Sequence, residues 1–167
     1  MILVILENQR GNIHVFSQEA VVAGQQLSTK LGLDLSILCL GENASALKEQ
    51  ASNYKVKNLI LAQHDLISSY SADGYSKALD QIISELSPKY VLMGHSYMVR
   101  DFLPRVSAKS DVPFISDIIS VTYHDNVPIF ARQVFNAKIV TNIQADSNNN
   151  TTLLSFQSAA FSSDNIE

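Results

Sequence analysis

The chain reads as a three-layer α/β domain with an antiparallel addition at its carboxyl end. Two observations carry this reading. Through the first two thirds, short unbroken apolar runs alternate with helical stretches, the pattern of parallel strands buried on both faces and joined by helical crossovers. Beyond residue 114, four strand-like stretches follow one another with short polar connections and no helix between them. Right-handed crossovers place helices on both faces of the parallel part. The last four stretches read as a C-terminal antiparallel strand meander.

Residues 1–6 form the first strand, apolar throughout. Residues 7–16 are polar and contain Gly11 and Asn12, so they read as a loop or a short edge turn through His14-Val15-Phe16. Ser17 is the expected cap of a helix running to about Leu31, with Glu19 in its first turn and Gly32 as its stop. Residues 33–40 are the second strand. Gly41-Glu42-Asn43 turns the chain, and Asn43 is placed to cap a short helix through about Ser52. Residues 58–62 are the third strand. Ser71 opens the clearest helix, whose Tyr75, Leu79, Ile82, Ile83 and Leu86 fall on one face. Ser87-Pro88 ends it. Residues 90–93 form the fourth strand, and Gly94-His95-Ser96 leads into helical sequence from about 98 to 110. Pro104 predicts a kink there or a division into two pieces. Residues 115–123, 127–135, 138–145 and 152–157 are the four strands of the expected meander. Asp146 through Asn150 reads as a loop. One domain over 1–160 is expected, with 161–167 a linker or frayed tail.

Composition narrows the function classes. The 167 residues are 46% hydrophobic and 17% charged, an ordinary globular balance. A net charge of −4 without basic clusters argues against nucleic acid and anionic membranes as main partners. The lone cysteine, Cys39, lies inside an apolar run and reads as a buried thiol. No apolar run nears transmembrane length, and the N-terminus reads as the first strand, with no signal or transit peptide before it. A bacterial or archaeal cytoplasm is therefore expected, or the mitochondrial matrix for a processed eukaryotic protein.

Candidate chemistry is sparse. The turn Glu7-Asn8-Gln9-Arg10-Gly11 after the first strand has one glycine, so it is not G-x-G-x-x-G. No G-x-x-x-x-G-K-[ST] occurs either. Gly94-His95-Ser96-Tyr97-Met98 resembles a nucleophile elbow, but Met98 stands where that turn needs a glycine. Gly94 then serves a tight exit and Ser96 a helix cap. The alternative use of Gly94 to Ser96 is an anion or nucleotide held at the helix start. A hydrolase would draw partners from His124 and Asp117. His14, His64, His95 and His124 show no metal-ligand spacing. His64-Asp65 reads as a polar strand end, with a general base the alternative.

Arginine is scarce, and two stand out. Arg105 follows Pro104, and Arg132 sits inside an apolar strand. Both read as surface guanidiniums with buried stems, or as ion-pair or interface anchors, with Asp117 a candidate partner. For Arg105 the expectation is a fixed contact with the Ser116-Asp117 loop. Phe130, Arg132 and Val134 share one strand face, while Ile129, Ala131 and Phe135 share the other. The antiparallel part is therefore the expected partner surface, with Arg105, Asp117, Phe130, Arg132 and Val134 as its candidate residues.

Specific runs carry a family resemblance. Leu103-Pro104-Arg105-Val106-Ser107-Ala108-Lys109 with Pro113-Phe114-Ile115-Ser116-Asp117-Ile118-Ile119 resembles the "LLPRVAAKL…PISDII" run of electron-transfer flavoprotein alpha subunits. Ala62-Gln63-His64-Asp65 is similar to that family's "AQHD" strand end, and Val4-Ile5-Leu6-Glu7 to its first strand. Val127 through Phe135 and Leu153 through Phe161 resemble its later strands, so the likeness covers nearly the whole chain. One departure is Asn136-Ala137-Lys138-Ile139, where the family has Ala-Gly-Asn-Ala.

The resemblance implies a Rossmann-like, adenine-nucleotide-hydrolase-like sheet. It implies the N-terminal domain of an electron carrier, not catalytic by itself, that forms a scaffold with a beta subunit. FAD would be held mainly by a C-terminal domain of the alpha subunit that this sequence does not include, so none is expected on this chain alone. Electrons would pass from dehydrogenases to an acceptor. The rival reading is a free-standing adenine-nucleotide-binding domain using the edge near Gly94 to Ser96.

Overall fold

The structure is a computed structural model that describes residues 1–41, 43–146, 148 and 150–167. Glu42, Ser147 and Asn149 lie outside the described residues, and with them parts of the turns expected at 41–43 and 146–150.

The first apolar run forms β1 (Ile2–Leu6), buried along its whole length. A small hairpin, β2 (Asn8–Gln9) and β3 (Asn12–Ile13), occupies the expected loop. Then follow α1 (Val15–Leu31), β4 (Leu35–Leu40), α2 (Ala44–Gln50), β5 (Asn58–Ala62), α3 (Ala72–Leu86), β6 (Tyr90–Gly94) and α4 (Tyr97–Ser110). The last third supplies β7 (Phe114–His124), β8 (Val127–Val134), β9 (Ile139–Ile143) and β10 (Thr152–Phe156).

Eight strands form one sheet in the order β5-β4-β1-β6-β10-β7-β8-β9. Alternation along β1 builds a core on each face. Ile2, Val4 and Leu6 join Ala20, Val21 and Leu27 of α1, whereas Leu3 and Ile5 join Leu79 of α3 and Phe102 of α4. This is the expected three-layer arrangement, and antiparallel strands extend its carboxyl end.

β10 is the exception within the expected meander. Its residues pair in parallel with β6 on one side (Leu154 with Leu92) and with β7 on the other (Leu153 with Phe114). The reason is burial: all five residues of β10 are buried, a composition suited to a central strand, whereas β9 stays half exposed at the edge. The antiparallel part therefore comprises β7, β8 and β9. β7 serves both systems through a bulge at Ser116-Asp117, where Asp117 adopts φ 60° and the register to β10 slips.

Several caps differ from expectation. His14, not Ser17, caps α1: its Nδ1 accepts the Phe16 N–H at 3.0 Å, and the Ser17 hydroxyl instead accepts the Glu7 N–H at 2.8 Å. Asn43 precedes α2 with φ 56° and no side-chain cap bond. Ser71 caps α3 as expected, and Gly32 closes α1 at φ 64°. Pro104 lies inside one continuous helix, not between two pieces. Residues 161–167, expected as a linker or frayed tail, run along α1 with a 3-10 turn at Ser163–Asn165. Among the described residues no helix is long and apolar enough to cross a membrane.

Candidate functional site

Two polar constellations stand at the carboxyl edge of the parallel strands, and an apolar one stands at the open end of the antiparallel part.

The first lies where β1 and β6 end. A Cβ on Gly94 would sit 2.4 Å from Phe16 Cβ and 2.5 Å from the Phe16 carbonyl oxygen, so glycine is what lets the first turn of α1 cross β6. Ser96 caps α4, its hydroxyl oxygen accepting the Val99 N–H at 3.2 Å. The same hydroxyl donates to the Glu7 carboxylate. Glu7 thus brings a carboxylate to a helix N-terminus, the position an anionic ligand would take. The pyrophosphate of a flavin or adenine dinucleotide does not fit here, because it would meet that carboxylate and the tight Phe16–Gly94 crossing. Ser96 does not pair with a histidine either: its hydroxyl is engaged by Glu7, and His124 lies at the exposed end of β7, 3.2 Å from Asp125.

The second constellation joins β6, β10, β7 and β8. Ser155, fully buried, accepts the Asp117 N–H at 3.2 Å and bonds His95 Nδ1 at 2.8 Å. With its oxygen accepting from Asp117, Ser155 can turn its own O–H to Nδ1, which leaves the ring proton on Nε2, facing Asp117 Oδ1 at 4.0 Å. Burial pushes the His95 pKa below its ordinary value. Asp117 opposes that shift, and the positive charges of Arg100 and Arg132 add to it.

Arg132 stands across the strand pair from Ile118. Its Nε is buried without a hydrogen-bond partner, and among the described residues the side chain makes no ion pair. The expected Arg132–Asp117 pair is therefore not formed; the group facing the Asp117 carboxylate is the His95 ring, with Nε2 4.0 Å from Oδ1.

Arg105 is also elsewhere than expected. It lies on the surface between α3 and α4, 3.2 Å from Asp73 and 3.6 Å from Asp101, not against Ser116-Asp117. The helical spacing of Asp101 and Arg105 accounts for the second contact.

Phe130 is fully buried and packs edge-on to Tyr90 at 6.3 Å, so it belongs to the core and offers no surface to a partner. Val134 is half-buried and paired with Ile139. The exposed apolar residues of this region are ones the sequence did not single out: Phe135 at 74%, Ile139 at 52% and Val140 at 54%. Their signal was present in two adjacent apolar residues, Ile139 and Val140, which point to opposite faces of an edge strand.

The remaining candidates are structural. Cys39 is buried, and burial pushes its thiol pKa up to about 11, with Lys48 opposing. His64 caps a 3-10 turn, its Nδ1 accepting the Leu66 N–H at 3.1 Å. Among the described residues no three His, Cys, Asp or Glu side chains gather as a metal site.

Comparison with known proteins agrees with this architecture. The family described as "Electron transfer flavoprotein domain" matches residues 2–167. The electron transfer flavoprotein subunit alpha of Bacillus subtilis (strain 168) is 28% identical over 137 residues, 82% of this chain and 42% of that protein. The probable mitochondrial electron transfer flavoprotein subunit alpha of Caenorhabditis elegans is 26% identical over 160 residues, 95% of this chain and 46% of its own. The acryloyl-CoA reductase electron transfer subunit beta of Anaerotignum propionicum is 25% identical over 116 residues, 70% of this chain and 32% of that protein. The chain thus spans less than half the length of these relatives. With a family match from the second residue to the last, on a sheet of the expected kind, the chain belongs to the electron transfer flavoprotein domain family.

Proposed function

We propose that this chain is the scaffold domain of an electron-transfer flavoprotein alpha subunit. It docks a beta subunit and supports electron transfer from dehydrogenases to an acceptor, through FAD held outside this domain by a further alpha-subunit domain and the beta subunit. It carries no catalytic step itself. The cytoplasm, or the mitochondrial matrix in a eukaryote, is the compartment this role implies. The observation that carries the reading is the uncovered end of the β8–β9 hairpin, where Phe135 and Ile139 stand exposed together. Contiguous exposed apolar residues mark interaction surfaces. The carboxylate of Glu7 at the α4 N-terminus supports the placement of FAD elsewhere.

The test is to purify this chain and mix it with an electron-transfer flavoprotein beta subunit. A one-to-one complex on size exclusion is expected, and the chain alone should show no absorption band at about 450 nm, where the cofactor's own chromophore absorbs. Failure of a folded chain to form the complex, or a stoichiometric flavin band on the chain alone, overturns the reading.

A further inference from the structure

Besides Ser17, which accepts the Glu7 N–H, two polar residues of α1 are almost fully buried: Glu19 at 8% and Gln25 at 9% exposure. Buried polar groups need partners, and both find them in the segment that follows β10. Glu19 Oε2 accepts the Ala159 N–H at 3.0 Å. Gln25 uses both halves of its amide on one residue: Nε2 donates to the Glu167 carbonyl at 2.7 Å, and Oε1 accepts the Glu167 N–H at 3.1 Å. That is the pairing an adjacent strand would offer, made by a side chain.

The same carbonyl receives the Lys55 N–H at 2.6 Å, so the end of the segment bridges α1 and the loop before β5. Between these two fastenings, Phe161 packs edge-on to Phe156 at 5.2 Å, and Ile166 lies against the core. The Lys55–Glu167 ion pair at 2.7 Å is exposed on both sides and adds little.

We infer that residues 157–167 form a strap clasped across α1 by Glu19 and Gln25 and belong to the rigid body of the domain. The clasp reads backbone atoms, so it holds the path of the chain whatever side chains residue 167 and its neighbours present. One consequence rests on the scaffold reading: the polar run from Ser162 moves with this domain and does not act as a bending linker. The strap itself does not depend on that reading and is tested on this chain alone.

The experiment is residue-resolved amide exchange by NMR on the wild-type chain, Gln25→Leu and Lys55→Ala. In the wild type the amides of Ala159, Glu167 and Lys55 are expected to be protected. Gln25→Leu removes both bonds to Glu167 and should speed exchange at Glu167 and Lys55 by about tenfold or more. Amides of β1 and β6 should keep their protection. Lys55→Ala removes only the exposed ion pair and should leave the strap closed. Unprotected Ala159, Glu167 and Lys55 amides in the wild type overturn the inference, as does a folded Gln25→Leu chain with unchanged rates. Wild-type protection decides alone should that variant lose its sheet.

Discussion

At Gly94 one hydrogen separates a fold from a clash. A methyl group there would stand 2.4 Å from Phe16 Cβ and 2.5 Å from the Phe16 carbonyl oxygen, and the second of these is backbone. Relief requires moving the first turn of α1, which is itself fixed by the His14 cap and by the packing of Ala20 and Val21 on β1. Gly94→Ala is therefore expected to destabilise the chain by about 3 kcal/mol, at the upper end of overpacking costs. A urea titration checks it, and an unchanged midpoint would mean α1 yields without cost. Arg105 lies at the other extreme. A fixed contact to the Ser116-Asp117 loop would make Arg105→Ala cost about 1–3 kcal/mol. Its actual partners, Asp73 and Asp101, are surface carboxylates, and the Arg105 side chain is 53% exposed. The expected loss for Arg105→Ala is thus below about 1 kcal/mol. A thermal midpoint within error of wild type agrees with that, and a drop of several degrees would reveal a stronger network.

Among the elements, the junction of β10 and β7 separates what a sequence states from what it leaves open. The strands β1, β4 and β6 were legible because each is a predominantly apolar run, broken only by Ser36 in β4. β10 is just as buried, but its place between β6 and β7 depends on long-range pairing that no local pattern encodes. The bulge at Ser116-Asp117 was equally hidden, since Asp117 at φ 60° is not a residue type that announces a left-handed position as glycine does. The contacts of Asp117, Arg132 and His95 follow from that bulge, so the expected Arg132–Asp117 pair could not have been checked without it. Ser155 and His95 fasten the bulge, and they make it sensitive to pH. The folded pKa of His95 is depressed below its ordinary 6.5, chiefly by burial, so the unfolded chain binds the proton more readily. The stability held by neutral His95 is fully present above 6.5 and is lost as pH falls below it toward the folded value. Thermal melts of wild type and His95→Asn across this range should diverge. Wild type loses stability as pH falls, and the variant loses less. Parallel curves for the two would show that His95 does not carry the proton difference.

For the whole molecule, the decisive asymmetry is that helices cover the parallel strands while the β8–β9 end extends past them. Chemistry changes along with cover. The chain as a whole has a net charge of −4, yet residues 127–145 contain Arg132 and Lys138 and no Asp or Glu. An apolar, mildly basic end on an acidic domain suits a partner with an apolar centre and an acidic rim, and it disfavours tight pairing of two copies through the same end. The residues to alter are the exposed ones. Arg132 is a poor choice, because its Nε is buried and a carboxylate in its place would disturb the fold as well as any interface. Phe135 sits in a turn at φ 53°, a conformation asparagine tolerates better than phenylalanine, so Phe135→Asn removes the ring without adding strain. Ile139 is 52% exposed on the edge strand beside Phe135, where lysine is a native guard against unwanted pairing. The pair Phe135→Asn and Ile139→Lys should leave the melting temperature of the isolated chain nearly unchanged, because surface changes of this kind stay within about 0.5 kcal/mol. The same pair should weaken binding to the beta subunit by about tenfold or more, as truncation of an interface anchor does. Isothermal titration of wild type and variant against the beta subunit measures this. Equal affinities with the fold intact would place the interface on another surface of the domain.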